Sequence, residues 1–172
     1  MPNLRQQLEE SIRGDFCLMG LGNVDYGDDG FGVRLAEDLL AHGMTNVVIA
    51  GTNPEQWIGR LADQGFPHVV FLDAVECGVL PGAVIFLSST EVVSRFPQIS
   101  THKISLSTLA MWAETRGGTR AWLLGVQPES VKPGSHLTLS VQRTLEGLRE
   151  VLLSLWVHSA KPTPETVLEV IA

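Results

Sequence analysis

The chain alternates short, unbroken apolar runs with longer stretches in which apolar residues recur at steps of three and four. Phe16-Cys17-Leu18-Met19 is continuous and runs into Gly20-Leu21-Gly22-Asn23. An apolar run with no polar alternation is the pattern of a strand buried on both faces, as in a parallel sheet. Val47-Val48-Ile49-Ala50 and His68 to Leu72 repeat it, the latter ending at Asp73. Ala83 to Leu87 and Ala121 to Val126 complete five strands, and Gln127-Pro128 closes the last. Leu4, Leu8 and Ile12 mark a short leading helix, and Val33, Ala36 and Leu40 a second that Gly43 can stop. Asn53-Pro54-Glu55-Gln56 reads as a helix start ahead of Trp57, Ile58 and Leu61, with Asn53 as N-cap and Pro54 as first helical residue. A further helix runs from about Ile104 to Thr115 and stops at Gly117-Gly118. The last carries Val141, Leu145, Leu148, Leu152 and Leu155 in alternating steps of four and three.

Strands alternating with helices predict an α/β three-layer sandwich: a mostly parallel, twisted five-stranded sheet with helices on both faces. The fourth strand follows the third too closely for a parallel crossover, so it is expected to run antiparallel to its neighbour. At 172 residues the chain is expected to form a single domain, 1–172. Residues 1–14 read as the leading helix, and 161–172, with Pro162 and Pro164, as a loosely docked tail.

Charge narrows the function. Twelve Lys and Arg against nineteen Asp and Glu give a net charge of −7, with no basic cluster, which argues against nucleic acid as a partner. The amino terminus lacks the basic-then-apolar pattern of a signal peptide, and no apolar run is long enough to span a bilayer. The expectation is a cytoplasmic protein without membrane insertion. Cys17 and Cys77 lie in apolar segments and read as buried thiols, not as a disulfide framework.

In open α/β sheets, ligands bind beyond the carboxyl ends of the strands. Three segments fall there: the glycine loop Gly20 to Gly32, Asp73 in LDAVECG, and Thr101-His102 ahead of the fourth helix. The loop fails as a dinucleotide fingerprint, because Asp25 stands where the third glycine belongs and its aspartates would repel a pyrophosphate. It has no Gly-Lys-Ser/Thr, and as a calcium loop from Asp25 it places Gly27 and Ala36 where carboxylates are needed. No His-Glu-x-x-His or Gly-x-Ser-x-Gly occurs either. Taken singly, Asp29 reads as a helix N-cap, Asp73 as a turn cap, and His102 as an imidazole kept neutral by a helix start. Taken together, two carboxylates and an imidazole at one sheet edge form either an oxygen/nitrogen metal-ligand set or an acid/base set. Spacing alone does not separate the two. Cys77 lacks a partner base and reads as structural, and His42, in the last turn of a helix, needs no function.

The order GLGNVDYGDDGFG, TNPEQWI, VVFLDAVECGVLPGAV, STHKISLSTL and LLGVQPESV resembles the maturation endopeptidases of nickel–iron hydrogenases, over about residues 15–157. The resemblance implies a twisted sheet between helices. It also implies removal of a short carboxyl-terminal extension from the hydrogenase large-subunit precursor after nickel insertion. By motif, the family's catalytic and metal-contacting positions fall on Asp29, Asp73 and His102. The nickel is expected to be supplied by the precursor, with zinc or cadmium able to substitute at the site. Asn23 and Gln127 are candidates for orienting the substrate, or else loop-stabilising amides. Gly22, with Gly20 and Gly30, is a candidate for close approach of the substrate backbone. Two other functions stay open: a metal-binding or chaperone-like module without turnover, and a general metal-dependent peptidase.

Overall fold

The computed structural model describes residues 1–96 and 105–159. Its strands are β1 (Phe16–Leu21), β2 (Val47–Gly51), β3 (His68–Ala74), β4 (Val84–Ser88) and β5 (Arg120–Val126). Its helices are α1 (Leu4–Ser11), α2 (Phe31–Ala41), α3 (Glu55–Gln64), α4 (Ser89–Arg95), α5 (Leu106–Gly117) and α6 (Leu139–Ser159). One sheet contains all five strands in the order β2-β1-β3-β5-β4. β1 pairs in parallel with β2 and β3, and β3 with β5. β4 lies antiparallel to β5 at the edge, as its short connection requires.

The unbroken apolar runs are explained by two cores. Phe16 and Leu18 of β1, Val70 and Leu72 of β3, and Leu124 of β5 face α1, α2 and α6. Cys17 and Met19, Val69 and Phe71, and Leu123, one residue out of phase, face α3, α4 and α5. With period two along a strand, both faces are buried only if every position is apolar.

Three local expectations change. The helix after β2 starts at Glu55, and Asn53 makes no capping bond to it; Pro54 occupies the cap with no side-chain partner. Leu40 points to solvent, while α2 buries Leu35 and Leu39 instead. Helix α4 had no signal in apolar spacing. It rests on a capping box, in which Ser88 accepts from the Glu91 amide and the Glu91 carboxylate accepts from the Ser88 amide. The proposed first residue of the α5 segment, Ile104, and the tail 161–172 lie outside the described residues. No described helix is long and apolar enough to cross a membrane.

Candidate active site

The chain leaves β1 outward to β2, then returns past β1 to β3, so the connections diverge between β1 and β3. In open α/β sheets that switch point, at the carboxyl ends of the two strands, is where ligands bind. The 3₁₀ turn Gly27–Gly30 after β1 brings Asp29 to it, and Asp73 stands one residue from the end of β3.

Two glycines set how closely the turn sits. A Cβ at Gly32 would lie 2.0 Å from the Leu72 carbonyl oxygen and 2.4 Å from that of Leu21. The first turn of α2 therefore rests directly on the ends of both strands, which only hydrogen at Cα permits. Gly22 has φ of 121°, and a Cβ there would lie 1.8 Å from the Asp29 carbonyl oxygen. What approaches Gly22 is the protein's own backbone.

Adjacent aspartates in the turn differ in burial. Asp28 is fully buried. Its carboxylate accepts from the amides of Glu129 (2.9 Å), Ser130 (3.0 Å) and Thr138 (2.7 Å), and from the Thr138 hydroxyl. Four donors saturate it and clamp the turn to the loop between β5 and α6. Asp29 is half-buried and accepts from the Asn23 amide at 2.9 Å. It is not the N-cap of α2; Gly30 is, without a side-chain bond. Asp73 is fully buried within the strand.

The two amides are tied into loops. Asn23 Oδ1 accepts from the Asp25 amide at 3.0 Å, folding the loop back on itself. Gln127, almost fully buried, donates from Nε2 to Glu76 Oε1 (2.9 Å) and the Pro128 carbonyl (3.1 Å), and its Oε1 accepts from the Cys77 amide (2.9 Å). Both of its N–H donors are engaged within the protein. Cys77 Sγ sits 3.4 Å from the same oxygen, and burial, with the Glu76 charge adding to it, pushes the thiol pKa up. A thiol held protonated is a poor nucleophile.

His102 lies outside the described residues. Among those described, no group of three or more His, Cys, Asp and Glu side chains could hold a metal ion. Helix α5 begins four residues after His102, and Leu106 and Leu109 belong to the same core as Val69 and Phe71, on the face to which strand alternation assigns Asp73. A cleft of about 420 Å³ opens beside Asp29, lined also by Tyr26, Ala74, Glu76, Pro128 and Val131. Sequence reasoning did not single out Glu76 or the apolar lining. The available signal was the position of Glu76 in the same strand-end loop as Asp73.

Residues 33–155 match the family model described as hydrogenase maturation protease. The chain belongs to the hydrogenase maturation protease family. It is 28% identical over 156 residues to the hydrogenase 2 maturation protease of Escherichia coli (strain K12), covering 86% of this chain and 94% of that protein. The crystal structure of a [NiFe] hydrogenase maturation protease from Thermococcus kodakarensis KOD1 superposes with a TM-score of 0.76 at 28% identity, covering 90% of this chain and 99% of that one. The E. coli hydrogenase maturating endopeptidase HybD gives 0.71 at 26% identity, covering 84% and 93%. As a member of the hydrogenase maturation protease family, this chain is a peptide-bond hydrolase.

Proposed function

We propose that this protein removes the carboxyl-terminal extension of a nickel–iron hydrogenase large-subunit precursor once nickel has been inserted. What supports this reading is the position of Asp29 in the turn after β1 and of Asp73 next to the last residue of β3, at the carboxyl ends of two paired strands, in a chain of the maturation protease family. Asp29, Asp73 and His102 would reach nickel already held by thiolates of the precursor, so the metal belongs to the substrate and serves as a recognition feature. Zinc or cadmium would occupy the same residues in the isolated protein. A water molecule gives one proton to a carboxylate, Asp29 or Asp73, as its oxygen attacks the scissile carbonyl carbon. That proton passes to the departing nitrogen as the C–N bond breaks, leaving a carboxyl terminus on the subunit and an amine on the released peptide. Two free cysteines fit a reducing compartment, and we place the reaction in the cytoplasm.

The test is mass spectrometry of a large-subunit precursor incubated with this protein, with and without inserted nickel. The expected result is loss of one discrete carboxyl-terminal peptide from the nickel-loaded form alone. Cleavage of both forms would retain the peptidase and discard the metal gate. A competent precursor left whole in both forms would overturn the proposal in favour of a binding module.

A further inference from the structure

Among the described residues, the two large hydrophobic side chains most exposed away from the amino terminus are Leu80, 81% exposed, and Leu139, 65% exposed. They stand where the connection from β3 to β4 meets the first turn of α6. Leu80 opens a tight turn. The Ala83 amide donates to the Leu80 carbonyl at 3.0 Å, Pro81 takes the second position, and Gly82, with φ of 81°, takes the third. Those are the marks of a type II turn, whose second position proline pre-sets and whose third favours glycine.

The turn is fastened on two sides. The Gly82 amide donates to the Gln127 carbonyl at 2.9 Å, and the Val79 amide to Gln127 Oε1 at 3.4 Å. The Thr144 hydroxyl donates to the Gly82 carbonyl at 2.6 Å. A Cβ at Gly82 would lie 2.9 Å from the Ser140 carbonyl oxygen, so the turn rests directly on α6 beside Leu139. A partner that covers leucines held this way gains from removing them from water and does not have to order a loop. The surrounding surface also lacks charge. Cys77 to Ala83 and Leu137 to Val141 contain no Asp, Glu, Lys, Arg or His, and Val79 adds another exposed apolar side chain. Single exposed apolar residues are ordinary, but a charge-free group of them on a rigid turn marks a contact surface.

Its place says which contact. Val126 pairs with Ala74, the residue after Asp73. The bonds to Gln127 therefore keep the turn on the order of 10–15 Å from Asp73. An interface of ordinary size covers about 800 Å² on each partner, a disc roughly 30 Å across. A folded protein that presents a peptide bond to Asp29 and Asp73 reaches Leu80 and Leu139 as well. A second copy of this chain seated on the same leucines would stand over that edge and block the substrate.

Resting on the peptidase reading above, we infer that Val79, Leu80 and Leu139 anchor the folded body of the precursor through an uncharged apolar patch on its surface. The anchor is separate from the contacts to the extension that is removed. Because it lies away from the reacting atoms, it binds substrate and transition state alike, and so acts on KM and not on kcat.

The experiment compares Leu80→Asp and Leu139→Asp with Met111→Asp, a change at an exposed apolar position on α5. Thermal melts check that each variant is folded; should Leu80→Asp fail to fold, Leu80→Ser carries the same test. Cleavage of nickel-loaded precursor is followed by mass spectrometry over a range of precursor concentrations. Leu80→Asp and Leu139→Asp are each expected to raise KM by about tenfold, with kcat within about twofold of wild type. Leu80→Met, which keeps an apolar side chain, and Met111→Asp are expected to retain the wild-type KM. An unchanged KM in folded Leu80→Asp overturns the inference and leaves the peptidase reading standing. An equal rise in Met111→Asp does the same, because the effect would then belong to net charge. Sedimentation velocity covers the remaining occupant: a wild-type dimer that Leu80→Asp dissociates with KM intact overturns the inference in favour of an interface between copies. A wild-type protein that leaves a competent nickel-loaded precursor whole sinks the peptidase reading and the inference with it.

Discussion

The two ends of the sheet both bury polar groups, yet they use them differently. At the amino end, His68 opens β3 and is nearly fully buried. Trp122 Nε1–H donates to His68 Nδ1 at 3.1 Å, and His68 Nε2 lies 3.1 Å from the Arg13 carbonyl oxygen. An indole can only donate, so Nδ1 is bare and Nε2 carries the proton it gives to Arg13. Phe86 stacks on the indole with ring centroids 5.2 Å apart, and the Arg120 guanidinium lies 5.4 Å from its centroid. Burial above all, with the Arg120 charge adding to it, pulls the His68 pKa down. Each nitrogen of the ring has a partner inside the protein. At the carboxyl end Asp28 is satisfied in the same inward way, whereas its neighbour Asp29 is only partly buried and lines a cleft.

That contrast breaks most visibly at the carboxylates themselves. Asp29→Asn and Asp73→Asn are each expected to lower the cleavage rate of a nickel-loaded precursor by about 10²–10⁴-fold, the scale of a lost general acid or base. Asp29→Asn retains one acceptor oxygen for the Asn23 amide, so a thermal melt should show it folded. Wild-type rates in Asp29→Asn would show that this carboxylate does no chemistry.

Gly32→Ala probes how the turn sits on the strand ends. Its Cβ would meet two carbonyl oxygens of the strand ends, so chemical denaturation is expected to show a loss of about 3 kcal/mol or more. Next comes Asp28→Asn. Exchanging one acceptor oxygen for an NH₂ group opposite amide donors should cost about 2–3 kcal/mol in the same assay. Its kcat for precursor cleavage should stay above that of Asp29→Asn, which separates clamp from chemistry.

At the amino end the expected effects are smaller and depend on pH. His68 binds a proton more weakly folded than unfolded, so acid favours the unfolded chain. Its contribution is complete above the ordinary histidine value of about 6.5 and is lost as pH falls below that, through the depressed folded-state value. Urea titrations between neutral and acid pH should show this slope, and His68→Gln should flatten it. Trp122→Phe, which removes the donor to Nδ1, should cost about 1 kcal/mol at neutral pH and leave cleavage unaffected. The smallest effect is expected from Cys77→Ser, with precursor cleavage within about twofold of wild type, since its thiol is held protonated and serves no nucleophilic step.

Much of the fold was legible because its signals are local. A strand buried on both faces must be apolar at every position, and Phe16 to Met19 and His68 to Leu72 say so directly. The antiparallel edge strand followed from the length of the connection before Val84. Helix α4 escaped because its cause is a pair of hydrogen bonds between Ser88 and Glu91, which leaves no apolar period. Leu40 was misplaced because Leu39 and Leu40 are interchangeable to a pattern, and only packing against the sheet chooses between them. Strand-end logic singled out Asp29, Asp73 and Gln127 as candidates, and could not reveal that both donors of Gln127 bond within its own loops.

The sequence by itself determined the sheet, its faces and the motif order that marks the family, because these follow from periodicity, connection length and residue type. Only the tertiary structure decided which of two adjacent aspartates is a clamp and which faces the cleft. The partners that saturate Asp28 lie 101 to 110 positions further along the chain. Hydrogen bonds are assigned by proximity in space, and neither Asp28 nor Asp29 carries that information in its own neighbourhood. The same holds for the cleft, whose apolar walls come from three strand ends that meet only when the sheet is assembled.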